Sequence, residues 1–353
     1  MAESPERTTP CILRTGACFG LVAWITLSGC EPTPPQIAEL QGETMGTSYS
    51  IKLSPAPDAS TRAMLKAQID QRLEVINAQM STYRPDSDLM RFNHSRSTDW
   101  QQQPAPIVEL VEHSMRISRL TEGRYDITVG PLVNLWGFGN SGDRTTPPTQ
   151  SEIDETMAQI GFRHLHTRNE PPALRKEKPG LQIDLSSIAK GWAVDEVVNL
   201  LKARGLDSFL VEIGGELRAQ GEKVPGRTWH IAIEQPSFDT RVLQRVIPLD
   251  DTAMATSGDY RNFFTEGGRL YSHTIDPVTG QPVQHQLASV TVLAENCTTA
   301  DAWATALMAV GSPDAPKLAD EHGLMALFIM RSESGLHETA SRALLESGLL
   351  EED

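Results

Sequence analysis

The chain has 353 residues, of which 46 are acidic and 31 are basic, and its formal net charge at pH 7 is −15. This length is enough to bury a large core in one or two domains. The negative balance argues against nucleic acid as the main partner. A ligand that carries phosphate would therefore need a local positive site made of lysine, a metal ion or backbone N–H groups.

The first 29 residues have the pattern of an export signal. Residues 16–27 form an apolar run that is too short to span a bilayer but fits the centre of a signal peptide. They lead into Leu-Ser-Gly-Cys at 27–30, which resembles a bacterial lipoprotein cleavage site with Cys30 as the acylated residue. A buried apolar helix is the alternative. We expect a signal peptide at 1–29, a lipidated Cys30 with a proline-rich extended tether at 30–41, a catalytic domain at 42–340 and a C-terminal tail at 341–353.

Helices are predicted where apolar residues recur at spacings of three and four. The segment 130–148 is rich in glycine and asparagine and is predicted to be a surface loop. The predicted helices cover 59–80, 107–120, 151–160, 187–203 and 299–310.

Strands are predicted mainly in the second half of the chain. Gly214 and Gly215 are predicted to form the turn of a hairpin. Strands and helices that are segregated in this way indicate an α+β fold rather than a doubly wound parallel sheet. The predicted strands cover 181–184, 209–213, 216–219, 229–233, 245–249, 269–275, 288–293 and 325–330.

Asp301 and Thr305 lie four residues apart on the last predicted helix, so their side chains share one face. A carboxylate and a hydroxyl are hard oxygen donors of the kind that Mg²⁺ takes when it also holds a phosphate. The competing interpretation is that Thr298 begins the helix and Asp301 caps its first turn. Thr305 has no capping role at its position.

A second group of candidate residues surrounds the start of the helix predicted at 187–203. Ser186 or Ser187 is predicted to cap this helix, whose free N–H groups attract an anion. Lys190 falls in the first turn, where a cation opposes the helix dipole. A phosphate between the lysine and the helix end would explain the conflict, and a solvated lysine is the alternative. Asp184 could accept hydrogen bonds from a ribose or from backbone.

Three further candidates have weaker signals. His273 precedes a turn at 276–280 and so lies near a strand end, although a lone histidine is more often structural than catalytic. Met45 and Tyr83 could stack on a flat ring or belong to the core. The residues around them do not decide between these interpretations.

Taken together, segments spread over 42–330 resemble the ApbE family of FAD:protein FMN transferases. The resemblance implies an ApbE-like α+β fold with mixed or antiparallel sheets flanked by helices, and two interlocked subdomains with the FAD site between them. The matching segments occur in family order and are ETMGTSY (43–49), YRPDSDL (83–89), YDITVGPLVNLWGFG (125–139), IDLSSIAKGWAVD (183–195), LVEIGGEL (210–217), ATSGDYRN (255–262), SHTIDPVTG (272–280) and TTADAWATAL (298–307).

The resemblance also implies a reaction. Family members move the FMN part of FAD onto a threonine or serine hydroxyl of a target flavoprotein, release AMP and require Mg²⁺. Lys190 and the metal would neutralise the pyrophosphate, with Asp301 and His273 as catalytic residues and His273 as the general base. By resemblance, FAD would contact Met45, Tyr83, Tyr125, Asp126, Ile127, Asp184, Lys190 and Ile275, and Mg²⁺ would bind Asp301, Thr305 and the carbonyl of Ser187.

Family targets include flavoprotein subunits of the Na⁺-translocating NADH:quinone reductase and of Rnf-type complexes. The expected location is the periplasmic side of a bacterial cell membrane, with the lipid on Cys30 as the anchor. Two alternatives are a Mg²⁺-dependent FAD pyrophosphatase that forms FMN and AMP, and a flavin-binding lipoprotein without turnover. His273 and Asp301 discriminate between them, because a pure binding protein needs neither a base nor a metal.

Overall fold

Antiparallel strands make up much of the fold. The computed structural model of the protein describes residues 36–139, 144, 146–237, 242–259 and 263–350, so the signal peptide predicted at 1–29 and Cys30 lie outside the described residues. The strands are β1 (Ala38–Thr44), β2 (Thr47–Leu53), β3 (Gln101–Gln102), β4 (Leu165–Arg168), β5 (Ala173–Lys176), β6 (Phe209–Ile213), β7 (Glu216–Gln220), β8 (Trp229–Glu234), β9 (Leu243–Leu249), β10 (Thr252–Gly258), β11 (Phe263–Glu266), β12 (Arg269–Ser272), β13 (Ile275–Asp276), β14 (Gln281–Pro282), β15 (Leu287–Ala294), β16 (Met325–Ser332) and β17 (Gly335–Ala340).

The helices alternate with groups of strands along the chain. Two short 3₁₀ helices also occur, at Ile127–Val129 and Phe162–His164. The α-helices are α1 (Ala59–Met80), α2 (Asp88–His94), α3 (Ala105–Leu120), α4 (Gly130–Leu135), α5 (Gln150–Met157), α6 (Ala189–Ala203), α7 (Cys297–Val310), α8 (Asp314–Glu321) and α9 (Arg342–Glu346). None of the described helices is long and apolar enough to cross a membrane.

Eight strands form the main sheet in the order β1-β2-β6-β7-β10-β15-β16-β17, and every neighbouring pair is antiparallel. Successive residues of a strand point to opposite faces. On β6, Val211 and Ile213 belong to the large core formed with α1, α3, α6 and α7, whereas Leu210 belongs to a smaller core formed with β8, β9 and Leu344 of α9. The predicted α+β class with antiparallel sheets flanked by helices is confirmed.

The two interlocked subdomains stay a prediction, since the described residues pack as a single unit. From residue 36 onward they belong to one compact unit. A third apolar cluster joins Leu132 and Trp136, at α4, to Ile153 and Ile275. It fixes the loop that follows β12 against the first half of the chain.

Two elements match the prediction closely. The helix predicted at 59–80 is α1, and Asp58 caps it by accepting hydrogen bonds from the N–H groups of Ser60 and Thr61. The turn predicted at Gly214 and Gly215 joins β6 to β7, and both glycines have positive φ angles, which glycine adopts without steric cost.

The prediction of a loop at 130–148 is wrong for its first six residues, because Gly130–Leu135 is helix α4. Pro131 suits the first turn of a helix, and burial of Leu132 and Trp136 stabilises it. The strand predicted at 181–184 is also wrong, since this segment pairs with no strand among the described residues. Its alternating Leu181 and Ile183 are buried, and its backbone is held by side chains and by a hydrogen bond from the Asp184 N–H to the Ile127 carbonyl.

Both predicted helix caps are wrong. Helix α6 begins at Ala189, and neither Ser186 nor Ser187 caps it. Helix α7 is capped by Asn296, which accepts a hydrogen bond from the N–H of Thr299. The alternative role of Asp301 as a cap therefore fails, because it lies in the second turn.

The predicted strand 269–275 is interrupted at His273, which lies between β12 and β13.

Candidate active site

A cavity of about 450 Å³ opens where the start of α6, the middle of α7, the end of β10 and the loop after β12 come together. Met45 does not line it, since it occupies the turn between β1 and β2 and packs against the large core. All other sequence-predicted site residues described in the structure do line it: Tyr83, Tyr125, Asp126, Ile127, Asp184, Ser187, Lys190, His273, Ile275, Asp301 and Thr305.

Lys190, Glu216 and Asp301 form a cluster of charged side chains on the cavity wall. The Nζ atom of Lys190 lies 3.0 Å from Oε1 of Glu216 and 3.7 Å from Oδ1 of Asp301. The other Asp301 oxygen, Oδ2, accepts a hydrogen bond of 2.9 Å from the N–H of Gly191. Glu216 is 5% exposed and Asp301 is 3% exposed, so both carboxylates are held inside the protein.

Burial changes the titration of all three groups. It raises the pKa of Asp301, and it raises the pKa of Glu216 to about 7, although Lys190 opposes both shifts. Burial alone would lower the pKa of Lys190, but Asp301 and Glu216 raise it above its usual value, so the ammonium stays charged. When both carboxyls are ionised, they leave an excess of negative charge beside the one ammonium, which suits the binding of a cation.

Oxygen donors beside Asp301 are candidates to hold a magnesium ion. No three His, Cys, Asp or Glu side chains within the described part of the chain are grouped to hold a metal, so a divalent ion here would need other oxygen donors. The Thr305 hydroxyl lies 3.2 Å from that of Ser257. The N–H of Gly191 donates to Asp301 instead of to the carbonyl of Ser187 one turn earlier, which leaves that carbonyl oxygen available. A carboxylate, a hydroxyl and a carbonyl are ligands that Mg²⁺ accepts.

The predicted contacts near Tyr125 have well-defined hydrogen bonds of their own. The hydroxyls of Tyr125 and Ser187 lie 2.9 Å apart, and burial raises the pKa of Tyr125 to about 12. Asp126 accepts hydrogen bonds from the N–H groups of Thr128 and Phe162, at 2.8 Å and 2.7 Å. Its carboxylate therefore holds this turn in shape beside the cavity.

The wall at 181–187 is held by side chains. The side-chain amide of Asn93 donates to the Ile183 carbonyl at 2.8 Å and accepts from the Ile183 N–H at 2.7 Å. The buried ammonium of Lys176 donates to the carbonyls of Phe92, Asn93 and Leu181. This wall presents Asp184, whose carboxylate accepts from the N–H and hydroxyl of Ser186.

His273 reaches the cavity beside a group of stacked aromatic rings. The ring of Phe138 lies edge-on to it, with the centroids 6.5 Å apart. Phe138 stacks on Phe264, Phe264 on Tyr271, and Tyr271 on Trp136. This packing places the imidazole on the same cavity as Lys190.

Sequence reasoning missed Glu216, Asn93 and Ser257, all of which line the cavity. Glu216 follows the Gly214–Gly215 turn, and a charged residue at the start of a buried hairpin strand was the signal available. Asn93 and Ser257 had none, because their roles depend on partners far away in the chain.

A cavity that combines buried carboxylates, a charged lysine and a histidine, on an antiparallel α+β scaffold, defines an enzyme site for a large polar ligand. The family model described as the ApbE family matches residues 45–328. The chain belongs to the ApbE family.

Relatives match over nearly their whole length. The chain is 44% identical over 321 residues to a protein of Vibrio cholerae serotype O1 named FAD:protein FMN transferase, covering 91% of this chain and 95% of that one. It is 37% identical over 342 residues to a protein of the same name from Escherichia coli K12, covering 94% and 97%.

Solved structures are similar as well. The flavin transferase ApbE from Vibrio cholerae superposes with a TM-score of 0.81 at 42% identity, covering 89% of this chain and 99% of that one. The apo form of the flavinyl transferase ApbE from Pseudomonas stutzeri gives a TM-score of 0.82 at 38% identity, covering 92% and 99%.

Proposed function

We propose that the protein transfers the FMN part of FAD to a threonine or serine hydroxyl of a target flavoprotein, releases AMP and depends on Mg²⁺. The observation that carries this proposal is the pairing of Lys190 with Asp301 in a cavity that Thr305 and His273 also line. Relatives that match 91% and 94% of the chain are named FAD:protein FMN transferase. The cavity volume also falls within the range of about 300–1,000 Å³ found for small-molecule sites.

The reaction requires one P–O bond to form and one to break. The acceptor hydroxyl oxygen attacks the phosphorus of the FMN phosphate, and the bond from that phosphorus to the AMP oxygen breaks. His273 takes the hydroxyl proton as the general base. AMP leaves as a phosphate anion and needs no proton from the protein.

Such a reaction requires positive charge near the pyrophosphate, which the protein must supply. Lys190 supplies one fixed charge, and its carboxylate neighbours keep it protonated. Asp301, the Thr305 hydroxyl and the Ser187 carbonyl would hold Mg²⁺, which supplies further positive charge to the pyrophosphate oxygens when bound. The wall held by Asn93 positions Asp184 for contact with the nucleotide.

The acceptors proposed for this enzyme are flavoprotein subunits of the Na⁺-translocating NADH:quinone reductase or of Rnf-type complexes. The sequence at 27–30 supports a lipid anchor on Cys30, which would hold the enzyme at the periplasmic side of the bacterial cell membrane. The predicted tether at 30–41 is too long by four residues, because β1 begins at Ala38; the segment between Cys30 and Ala38 would separate the catalytic domain from the bilayer.

The test combines purified protein, FAD, Mg²⁺ and a candidate acceptor subunit. The expected result is a fluorescent acceptor band on a denaturing gel, with a mass increase equal to one FMN, that disappears when Mg²⁺ is chelated. AMP release without an acceptor, and no labelled band with one, would instead identify a FAD pyrophosphatase. FAD binding with neither product would identify a flavin-binding protein.

A further inference from the structure

Glu216 is a buried carboxylate that the proposed reaction does not use. It begins β7, lines the cavity and contacts Lys190, while its second oxygen, Oε2, is buried and has no hydrogen-bond partner within the described part of the chain. A carboxylate beside a phosphate site is unfavourable for phosphate binding, because like charges repel. Its presence therefore needs another explanation.

The distances show that Lys190 is shared unequally between two carboxylates. Lys190 forms the shorter ion pair with Glu216, at 3.0 Å, and the longer one with Asp301, at 3.7 Å. If Glu216 were neutral, Asp301 would be the only charged partner left to the ammonium in this cluster. Since a buried charge without a partner is costly, Lys190 would move onto Asp301 and form a direct hydrogen bond of about 2.8 Å.

We propose that Glu216 is a positioning residue that acts as the counter-ion of Lys190 and thereby keeps Asp301 free to bind a divalent metal. This inference rests on the metal site of the proposed function. Lys190 and the metal both need Asp301 as a neighbour, and Glu216 removes the competition. Lys190 can then lie next to the metal site without blocking its carboxylate.

A double-mutant cycle tests the inference, with the affinity for Mg²⁺ alone measured by calorimetry in the absence of FAD and acceptor. Glu216→Gln keeps the size of the side chain and removes its charge. It should weaken Mg²⁺ binding by about tenfold when Lys190 is present, but by less than about threefold in a Lys190→Met background. Glu212→Gln is the matched control. Glu212 is a carboxylate of the same hairpin, where it accepts a hydrogen bond from the Gly215 N–H, and it forms no described ion pair with Lys190.

A second measurement does not depend on the metal. In a metal-free crystal structure of the Glu216→Gln variant, the distance from Lys190 Nζ to Asp301 should shorten from 3.7 Å to about 2.8 Å. An unchanged distance would overturn the inference. An equal loss of Mg²⁺ affinity in both backgrounds would also overturn it, because Glu216 would then act on the metal directly, through its charge or as a ligand. The absence of any loss of affinity in the Glu216→Gln variant would overturn it as well.

The outcomes also separate this inference from the proposed function. If the wild type labels its acceptor but the cycle shows no coupling, the function stands and the positioning role falls. If the coupling is present but the wild type labels no acceptor, the positioning role stands and the transfer reaction falls.

Discussion

Asp301 makes three kinds of contact with one carboxylate. One oxygen accepts the Gly191 N–H, the other lies near Lys190, and the side chain also reaches the cavity shared with Thr305. A substitution at Asp301 would therefore affect both the packing of α6 against α7 and the chemistry of the site. A variant that keeps the hydrogen bond but removes the charge separates the two roles.

Asp301→Asn is expected to lose Mg²⁺-dependent transfer by at least about 10²-fold while the protein remains folded. The amide oxygen can still accept from Gly191, and burial already disfavours the charged form of this carboxyl, so the neutral side chain should be tolerated. The acceptor-labelling assay and the melting temperature are measured together. A folded variant with wild-type transfer would show that the metal assignment is wrong.

His273→Asn should keep the affinity for FAD and reduce transfer by about 10²–10⁴-fold, because the variant lacks a group able to take the hydroxyl proton. Binding is measured by calorimetry and transfer by acceptor labelling. Weakened FAD binding would identify His273 as a ligand contact. Near-normal transfer would assign it to the support of the neighbouring aromatic rings.

At the scale of elements, the site depends on the close approach of α6 and α7. Gly191 is the point of contact, and a Cβ atom there would stand 2.3 Å from the Cys297 carbonyl oxygen and 2.8 Å from Cβ of Asp301. Asp195, one turn later on α6, accepts hydrogen bonds from the N–H groups of Cys297 and Thr298 at the start of α7. These contacts fix the position of α7, and with it Asp301, relative to Lys190.

Gly191→Ala should therefore destabilise the protein by about 1–3 kcal/mol, the usual range for an overpacked site, and should weaken Mg²⁺ binding because Asp301 is displaced. Urea unfolding and calorimetry measure the two effects. Asn199→Ala, at an exposed position of the same helix, is the control and should change neither. A Gly191→Ala protein as stable as the wild type would show that the two helices are less tightly joined.

Lys176 gives the cavity wall a pH dependence of its own. Burial lowers the pKa of this lysine to about 8, whereas a lysine in the unfolded chain titrates near 10.4. Between these values the unfolded chain binds the proton more strongly, so the free energy of unfolding should rise with pH, by about 1–2 kcal/mol from pH 7.5 to 9.5. Lys176→Met should lack this increment in urea unfolding, and an identical pH dependence in both proteins would contradict the assignment.

The features that the sequence predicted are those set by local geometry. The Asp301–Thr305 pair follows from helix periodicity, and the hairpin turn follows from the tolerance of glycine for positive φ. The contact of Lys190 with Glu216 joins two elements far apart in the chain, so periodicity cannot predict it. The segment 181–184 has the alternation of a strand, but its partners are the side chains of Asn93 and Lys176 and the carbonyl of Ile127 rather than a neighbouring strand.

Strand β10 shows a different limit of the prediction. Its sequence, TAMATSG, lacks the bulky and β-branched residues typical of a strand apart from threonine. Ala253 and Ala255 are small because α7 packs directly on this strand. Because close packing requires small residues here, β10 lacks most of the bulky and β-branched residues from which a strand is predicted.

At the scale of the whole molecule, the main sheet separates two apolar cores, and the cavity lies beside the larger one. The chain as a whole is strongly negative, yet Lys190 provides a fixed positive charge within the cavity wall. An anionic ligand therefore needs positive charge supplied locally, by Lys190 together with the proposed metal ion, because the overall field repels it. A lipid anchor would hold this negatively charged domain at a membrane surface without help from basic residues.

Cys30→Ser tests the anchor. Without the cysteine sulfur no acyl chain can be attached, so the protein should leave the membrane fraction or remain uncleaved. Cells are labelled with a tagged palmitate analogue, and the labelled protein is compared between wild type and variant after fractionation. Equal labelling of the two proteins would contradict acylation at Cys30, whereas Cys297→Ser should label like the wild type because Cys297 is buried in α7.

The cavity wall at 181–187 also bears on how this scaffold can diversify. A strand inside a sheet cannot shift without moving its neighbours and changing which face each side chain occupies. This segment is anchored instead by the Asn93 amide, the Lys176 ammonium and the Ile127 carbonyl, so a substitution at Asn93, which lies outside every strand, can reposition it while every strand keeps its register. The shape of the ligand site can therefore change during evolution or engineering without a change in strand pairing.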